Sequence, residues 1–367
     1  MPQRGYATRA LVWSSLTCAA LVGLACERRE APLPDTDVAA SSSDARSALT
    51  LPKHAIAKGE GELPSGAHEP GDAVYERFAG STFRVEQIVR TLGTSSLHDL
   101  RPVGSTSVVL RANLDAPFRA ALKLATHERP LAAATEVAAY RLSRCLGLTT
   151  VPPAVLRVLT VTSLEQALEP RYVERWPELL ARAAVDSERV EAAAIFWVEG
   201  MREHPIATPE GRQPVLQALQ QGSPISGDLQ LMAAQLSDLS AFDLLLGNGD
   251  RWSGGNVQGD PSGQWLYIRD HDLSFATQLR PEIEQRLLSQ LAQVERFSRG
   301  LIERVRALTP QQLAREWDQD PELARAGRAS WLRERVLPGV MERRIKLLSR
   351  VQSLVLRYGE DAVLAFP

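Results

Sequence analysis

The strongest constraint on the fold of this chain is a polar segment enclosed by apolar elements. Residues 227–246 carry apolar side chains at helical spacing and predict an amphipathic helix. The pattern stops at Gly247, and a loop rich in Gly, Asn and Asp follows as far as Gly259. A short apolar strand over residues 265–268 then leads into an acidic loop that contains Asp270. The predicted order is therefore helix, polar loop, strand and acidic loop.

Three side chains in this segment offer hard oxygen donors. Asp250 and Asn256 lie in the first loop, and Asp270 follows the strand. Carboxylate and amide oxygens suit Mg²⁺ or Mn²⁺ carried by a nucleoside triphosphate. A polar surface loop with an Asp that caps a helix would use the same residue types. These residues alone do not choose between a metal site and a surface loop.

A lysine upstream lies within an apolar strand. Residues 108–111 and 118–124 predict two strands joined by a short turn, and Lys123 belongs to the second. Its ammonium must reach solvent or find a partner, because an unpaired buried charge is costly. Glu136 lies near the start of a helix predicted over about 132–146, and a Lys–Glu pair of this kind holds a lysine toward the phosphates of ATP. Each charge taken singly is explained better as solvated, but their order with the three oxygen donors is harder to obtain by chance.

The rest of the folded chain predicts a mixed architecture. Strand patterns cover residues 151–159 and 192–198, and helical patterns cover residues 163–184 and 280–357. The last helical stretch is predicted to bury an apolar face formed by Ile345, Leu348, Val351, Leu354 and Val355. A small sheet with one helix therefore precedes a larger helical part, which is an α+β arrangement of two lobes.

Composition and missing motifs exclude several classes of protein. The 42 Lys and Arg against 44 Asp and Glu leave a net charge of −2, so no basic excess is available to bind nucleic acid. With 44% hydrophobic and 23% charged residues, the chain has the composition of a soluble globular protein. The sequence contains no phosphate-binding loop of the Gly-x-x-x-x-Gly-Lys type, no His-Glu-x-x-His and no Gly-x-Ser-x-Gly. Its 6 histidines have no ligand spacing, so a zinc site is not expected.

The first 26 residues have the pattern of an export signal. Arg4 and Arg9 precede an apolar run over residues 10–25, which is too short and too interrupted for a membrane-spanning helix. The run ends in Leu-Val-Gly-Leu-Ala before Cys26, which resembles the lipobox of bacterial lipoproteins and predicts acylation of Cys26. A plain secretory signal and an uncleaved anchor are the alternatives.

Residues 27–78 predict a disordered tether, because they have few large apolar side chains and no sustained periodicity. Leader and tether together predict a membrane-anchored, extracytoplasmic lipoprotein, or a cytosolic protein if the leader does not function. Of the 3 cysteines, Cys18 would be removed with the leader and Cys26 acylated, which leaves Cys145 without an intramolecular partner.

The motifs above resemble those of the protein-kinase-like superfamily over residues 95–280. The similarity is to its atypical branches, namely the phosphoinositide 3- and 4-kinases, the HipA-type kinases and the secreted Golgi casein kinases. Gly-Asn-Gly-Asp-Arg at residues 247–251 is similar to their catalytic loop, and residues 268–275 resemble their metal-binding segment. The run Glu-Val-Ala-Ala-Tyr-Arg-Leu at residues 136–142 is similar to the helix after the nucleotide-binding lysine.

The resemblance implies a role for each candidate residue in binding ATP with Mg²⁺ or Mn²⁺. Lys123 would hold the α- and β-phosphates, and Glu136 would orient Lys123. Asp250 would align the attacking hydroxyl or accept its proton, and Asn256 and Asp270 would bind the metal. The loop over the phosphates would be Gly104, Ser105, Thr106 and Ser107. The hinge against the adenine would be Trp197, Val198 and Glu199, which are equally well explained as the end of a buried strand.

The sequence also departs from the pattern of ordinary protein kinases. The phosphate loop has one glycine rather than three, and Asn256 follows Asp250 by six residues, one more than usual. No long activation segment or Ala-Pro-Glu motif follows Asp270. Asp272 stands where a glycine is common, as a second metal ligand or as a cap. These departures argue against an ordinary Ser/Thr kinase and leave the acceptor open, as a protein or a small molecule.

Three hypotheses about function follow from the sequence. The first is an ATP-dependent phosphotransferase in a kinase-like domain over residues 79–367, with a small lobe at about 83–200 and a larger lobe at about 201–367. The second is a non-catalytic, membrane-tethered pseudokinase or binding lipoprotein, because a domain outside the cytoplasm meets little ATP. The third is a lipoprotein with no nucleotide site, in which Lys123 and Glu136 are only solvated charges.

Overall fold

The computed structural model of the chain describes residues 77–104 and 107–367. The predicted leader, the lipidation site Cys26 and all but the last two residues of the predicted tether lie outside these described residues, as do Ser105 and Thr106. Of the last two tether residues, Phe78 is only 3% exposed and belongs to the core. Its ring lies 5.5 Å from that of Phe196. The packed part of the chain therefore includes Phe78.

A curled antiparallel sheet dominates the first part of the fold. Its strands are β1 (Leu97–Val103), β2 (Val109–Leu114), β3 (Arg119–Leu124), β4 (Ala154–Thr160), β5 (Val185–Asp186) and β6 (Arg189–Phe196). They lie in the order β1-β2-β3-β6-β4, and β5 pairs with β6. In this register Lys123 lies between Val109 and Ala193. The strand patterns at 108–111, 118–124, 151–159 and 192–198 therefore correspond to β2, β3, β4 and β6, with ends shifted by a few residues.

Four helices accompany this sheet: α1 (Val85–Thr94), α2 (Ala132–Leu146), α3 (Val161–Gln166) and α4 (Trp176–Arg182). The bounds of α2 agree with the helix predicted over 132–146. Its N-terminal turns are rich in alanine, whose small side chain lets a helix pack closely, and nearly all of its residues are buried. The helix ends at Gly147, whose φ of 82° is readily adopted only by glycine.

The second part of the fold is mainly helical. Its helices are α5 (Pro209–Ala218), α6 (Gly227–Leu246), α7 (Pro281–Ala292), α8 (Arg299–Ala307), α9 (Pro310–Asp318), α10 (Pro321–Arg325), α11 (Arg328–Trp331), α12 (Leu337–Tyr358) and α13 (Glu360–Val363). A small antiparallel sheet joins them, with β7 (Arg202–Glu203), β8 (Val257–Gly259) and β9 (Leu266–Ile268) in that order. The expected α+β architecture is confirmed.

Helix α6 has the predicted bounds but not the predicted amphipathic character. Residues 241–246 are all buried, including the charged Asp243. The reason is tertiary, because α6 packs against α5, α7 and α12 and so has neighbours on several sides. A helix surrounded in this way has no solvent face in its second half.

The predicted apolar face of the C-terminal helix is only partly correct. Val351 and Leu354 of α12 are buried, but Ile345 is 60% exposed. Leu347, which the pattern passed over, is fully buried instead. The buried face of α12 therefore differs from the predicted stripe, because α12 packs against several helices, α6, α8, α9 and α13. None of the helices within the described residues is long and apolar enough to cross a membrane.

Candidate functional site

Lys123, Glu136 and Asp270 meet where the larger sheet faces the helical part. The Lys123 Nζ atom lies 2.7 Å from Glu136 Oε1 and 2.5 Å from Asp270 Oδ1. The Lys123 side chain is 7% exposed, so the ammonium has exchanged solvent for these carboxylates. Strand β3, helix α2 and the segment after β9 therefore contribute one charged group each to a single cluster.

A third carboxylate, that of Asp272, completes this cluster. Its Oδ2 atom lies 3.2 Å from Lys123 Nζ and 2.6 Å from Arg129 Nη1. The Ser107 hydroxyl also donates to Oδ2, at 3.3 Å. The sequence pattern left Asp272 as a metal ligand or a cap, whereas the structure shows it in two ion pairs. Arg129, in the connection between β3 and α2, was not predicted, because nothing local in the sequence marks its partner.

Mutual attraction keeps the groups of the cluster ionised despite burial. Burial alone would lower the pKa of Lys123, but the charges of Glu136, Asp270 and Asp272 outweigh it and raise that pKa above its usual value. Burial would raise the pKa of Asp270, yet the charge and hydrogen bond of Lys123 lower it to about 2. An ammonium and an ionised carboxylate therefore face each other at neutral pH.

Glu136 is fixed from two directions. Its Oε1 atom accepts a hydrogen bond from Lys123 Nζ and a second from the backbone N–H of His271, at 2.9 Å. Burial and the nearby charge of Arg251 lower the pKa of His271 to about 3, so this imidazole is neutral. The carboxylate that orients Lys123 is thereby tied to the segment that carries Asp270.

The loop after α6 is held together around Asp250. The backbone N–H of Asp250 donates to Asn248 Oδ1 at 3.0 Å, and Asn248 Nδ2 donates to the carbonyl of Asp270 at 3.3 Å. The Asn256 amide nitrogen donates to the backbone carbonyl of Asp250 at 3.1 Å and to its Oδ2 at 3.3 Å. The two loops predicted to carry oxygen donors are therefore in direct contact.

A buried ion pair beneath this loop was missed by sequence reasoning. Arg251, which is 1% exposed, donates to Asp243 of α6 at 2.9 and 3.0 Å. The same guanidinium donates to the backbone carbonyls of Asn256 and Arg269. It thus anchors both loops to α6. The signal available in the sequence was an aspartate inside an otherwise apolar helix segment.

The clustered groups open onto a cavity of about 620 Å³ between the sheet and the loops. It is lined by the charged and polar residues Lys123, Glu136, Asn256, Asp270 and His271. Its walls also include Gly104, Ser107, Val109, Ala121, Ile195, Trp197, Val198, Glu199 and Met201. A volume of this size suits a small-molecule ligand. The predicted hinge residues and the predicted metal ligands therefore border one cavity, whereas Asp250, which Asn256 contacts, is not part of the lining.

Two arginines that were not predicted also line the cavity. Arg111 extends from β2, opposite Ala121 in the register, and Arg269 precedes Asp270. The Nε atoms of both are buried and have no hydrogen-bond partner among the described residues. The cavity is therefore richer in positive charge than Lys123 alone would make it.

The backbone of Asp270 adopts an uncommon conformation. Its φ is 65°, in the left-handed region that non-glycine residues seldom occupy. Such a conformation costs energy and persists because the surroundings impose it. Here the carbonyl of Asp270 accepts from Asn248, and its carboxylate is held by Lys123. The backbone turn is thereby coupled to the direction in which the carboxylate points.

The described part of the chain does not by itself form a complete metal-binding cluster. Within residues 77–104 and 107–367, no group of three or more His, Cys, Asp or Glu side chains is arranged to hold a metal ion. A cation delivered with a nucleotide needs fewer protein ligands, since phosphate oxygens and water fill its other positions. Asp270 and Asn256, which both line the cavity, provide a carboxylate and an amide oxygen of the required type.

No protein-family model and no curated protein sequence matches this chain. Several solved structures, however, have a similar fold. The structure of the Golgi casein kinase with Mn/ADP bound is similar with a TM-score of 0.55 and 15% identity, covering 76% of this chain and 78% of that one. The structure of hydra Fam20 with sugar is similar with a TM-score of 0.57 and 16% identity, covering 80% of this chain and 95% of that one. These similarities show that the chain has an atypical kinase-like fold, as its motifs had predicted.

Proposed function

We propose that this protein is an ATP-dependent phosphotransferase of the atypical kinase-like type. The observation that carries the proposal is the contact of Lys123 Nζ with both Glu136 and Asp270 at the edge of the 620 Å³ cavity. The third sequence hypothesis, in which Lys123 and Glu136 are solvated charges, does not explain a lysine side chain that is 7% exposed.

The cavity walls combine apolar and charged groups. Apolar groups of Val109, Ala121 and Ile195 and the hinge residues Trp197 and Val198 provide a surface for a planar base. Lys123 would bind the α- and β-phosphates, with backbone groups of the loop from Gly104 to Ser107 over them. Arg269 supplies a further cation close to Asp270.

Asp270 and Asn256 are the residues that would hold a nucleotide-borne Mg²⁺ or Mn²⁺. The carboxylate of Asp270 is ionised at neutral pH, because its pKa is about 2. The Asn256 side chain uses its Nδ2 group to bind Asp250, which leaves Oδ1 as the atom able to coordinate a cation. The cation would neutralise charge on the phosphates.

In phosphoryl transfer, the protein contributes mainly by positioning the reacting groups. An acceptor hydroxyl oxygen forms a bond to the γ-phosphorus, the bond to the β–γ bridging oxygen breaks, and ADP leaves with that electron pair. Asp250 would align the hydroxyl and take its proton, and its carboxylate is oriented by Asn256 at 3.3 Å. Lys123 would stabilise charge on the phosphates throughout the transfer.

The test is ATP turnover by the purified full-length chain with Mg²⁺ or Mn²⁺, with water serving as acceptor in place of the unidentified hydroxyl. We expect Lys123→Met and Asp250→Ala each to lower turnover by at least about 100-fold. Asp115→Asn, at an exposed position in the turn between β2 and β3, serves as the matched control and should leave turnover unchanged. Equal turnover in wild type and Asp250→Ala would overturn the catalytic assignment.

A non-catalytic nucleotide-binding module is the second candidate. The favouring observation is that Asp250, the candidate base, is not among the residues that line the cavity, whereas Lys123, Asn256 and Asp270 are. This candidate predicts ATP binding that requires Lys123 without any turnover. Calorimetric titration of the full chain with ATP, run beside the turnover assay, separates the two candidates.

We further propose that the chain is a lipoprotein acylated at Cys26. The support is the sequence pattern before that cysteine. Expression in a bacterial host with a labelled fatty acid should label the wild type and not Cys26→Ser. The wild type should sediment with membranes, and an unlabelled wild type would refute the proposal.

A further inference from the structure

One carboxylate oxygen of Asp272 connects the segment after β9 to three other parts of the chain. Its Oδ2 atom contacts Arg129 at 2.6 Å, Lys123 at 3.2 Å and the Ser107 hydroxyl at 3.3 Å. These partners belong to the β3–α2 connection, to β3 and to the predicted phosphate loop, while Asp272 follows β9. The Asp272 side chain is 4% exposed, so solvent does little to screen its charge.

Arg129 offsets part of the excess negative charge around Lys123. Lys123 brings one positive charge to three carboxylates, those of Glu136, Asp270 and Asp272. Arg129 adds a second positive charge, and it lies nearer to Asp272 than Lys123 does. Burial would lower the pKa of Arg129, but the hydrogen bond and charge of Asp272, together with the charges of Asp270 and Asp250, outweigh burial and raise it, so the guanidinium is charged.

We propose that Arg129 is a positioning residue of the nucleotide site, acting by holding Asp272 so that Lys123 can turn to phosphate. The role rests on the proposed function, because it concerns the affinity for a triphosphate. When the phosphate oxygens bind, Lys123 loses its contact with one carboxylate. Asp272 then keeps its ion pair with Arg129. Without Arg129, the buried Asp272 would depend on Lys123 for its charged partner and would compete with the phosphates for it.

The turn that carries Arg129 does not depend on its guanidinium. The side chain is 37% exposed, and a second cavity of about 190 Å³ lies beside it, also lined by Lys123 and Asp272. The turn that carries it is closed by its backbone N–H, which donates to the Thr126 carbonyl at 3.0 Å and to Thr126 Oγ1 at 3.1 Å. Shortening the Arg129 side chain therefore leaves the turn intact.

The experiment is a double-mutant cycle on the full chain, with the dissociation constant of ATP–Mg²⁺ measured by calorimetry. Arg129→Met should weaken binding by at least about 10-fold, because Asp272 then holds Lys123. Asp272→Asn removes the competing charge, so it should bind within about 3-fold of wild type or more tightly. The double variant should recover to within about 3-fold of Asp272→Asn, which a merely structural loss at Arg129 would not allow.

Two further variants control the cycle. Arg129→Lys keeps the positive charge and should bind within about 3-fold of wild type, which tests the charge even if Arg129→Met folds poorly. Arg171→Met breaks an ion pair with Glu169 outside both cavities, at a side chain that is 61% exposed, and should leave ATP affinity unchanged.

The outcomes separate this role from the proposed function. A wild type that binds no ATP–Mg²⁺ overturns the proposed function, and the role of Arg129 falls with it. If the wild type binds ATP–Mg²⁺ and Arg129→Met binds it with equal affinity, only the role of Arg129 is overturned. A double variant as weak as Arg129→Met also overturns it, because the loss would then not pass through Asp272.

Discussion

Lys123 illustrates how a charged residue is kept inside an apolar strand. Its neighbours in β3, Leu122 and Leu124, are buried with their side chains on the opposite face of the strand, and its own side chain is only 7% exposed. The cost of burial is offset by Glu136 and Asp270, which are in direct contact with it. The charge is therefore a property of the assembled cluster, and removal of any member changes the others.

The clearest consequence at the residue scale is a pH dependence of stability due to Asp270. Its pKa falls from 3.8 to about 2 on folding, so the folded state favours the ionised carboxylate. The stabilisation is fully present above the unfolded pKa, near pH 4, and is lost as the pH falls through about 2. A shift of this size corresponds to about 2 kcal/mol of unfolding free energy.

Urea unfolding of the full chain between pH 2 and pH 6 measures this contribution. The wild type should lose about 2 kcal/mol across the acid range relative to Asp270→Asn, which cannot titrate at that position. Asp115→Asn, which removes an exposed carboxylate, should follow the wild type. Parallel pH profiles for the wild type and Asp270→Asn would contradict the ion pair with Lys123.

At the scale of single elements, the positions of two helix ends were set by the local sequence. The bounds of α2 and α6 were both predicted, because apolar periodicity marks each helix and a glycine with positive φ ends it. Three elements, α1, β1 and β7, were not predicted: β7 has only two residues, whereas α1 does carry apolar residues at helical spacing, at Val85, Ile88 and Leu92. The prediction that α6 is amphipathic was also wrong. Periodicity shows which residues form a helix, but it does not show how many other elements pack against that helix.

Gly247, which ends α6 and begins the candidate catalytic loop, should not tolerate a side chain. Its φ is 71°, and a Cβ atom there would come within 2.9 Å of the Leu279 side chain. Gly247→Ala should therefore lower the unfolding free energy by about 1–2 kcal/mol. Gly93→Ala in α1 meets nothing within 4 Å and should raise it by about 0.5–1 kcal/mol.

Thermal denaturation of the two alanine variants beside the wild type measures both effects. Opposite signs are expected, because both substitutions reduce chain entropy in the unfolded state but only one strains the folded state. A Gly247→Ala variant as stable as the wild type would show that the loop relaxes without the left-handed conformation.

At the scale of the whole molecule, one continuous core runs from the larger sheet into the helices. The cavity lies across this core, with walls from β2, β3 and β6 on one side and from the loops around β8 and β9 on the other. A ligand that touches both sides should therefore stabilise the fold as a unit. The increase in unfolding free energy that the ligand causes depends on the ratio of its concentration to its dissociation constant.

We accordingly expect ATP with Mg²⁺ to raise the melting temperature of the full chain. At 100 times the dissociation constant the stabilisation is about 2.7 kcal/mol. Removal of the metal with EDTA should reverse most of the shift, because Asp270 and the phosphates would then repel each other. Lys123→Met should show no shift, and a shift that EDTA leaves unchanged would argue against metal-assisted binding.

The sequence by itself determined the α+β class, the limits of α2 and α6, and the order of the polar residues that now surround one cavity. These depend on local periodicity, on glycine at helix ends and on charges placed in apolar runs. Only the tertiary structure decided that Asp272 pairs with Arg129 and that Asp243 holds Arg251, and it set the neighbours of α6 and α12. Such partners lie far apart in the chain or on separate elements, and no local pattern specifies which of many charges of opposite sign will be brought within contact distance when the core closes.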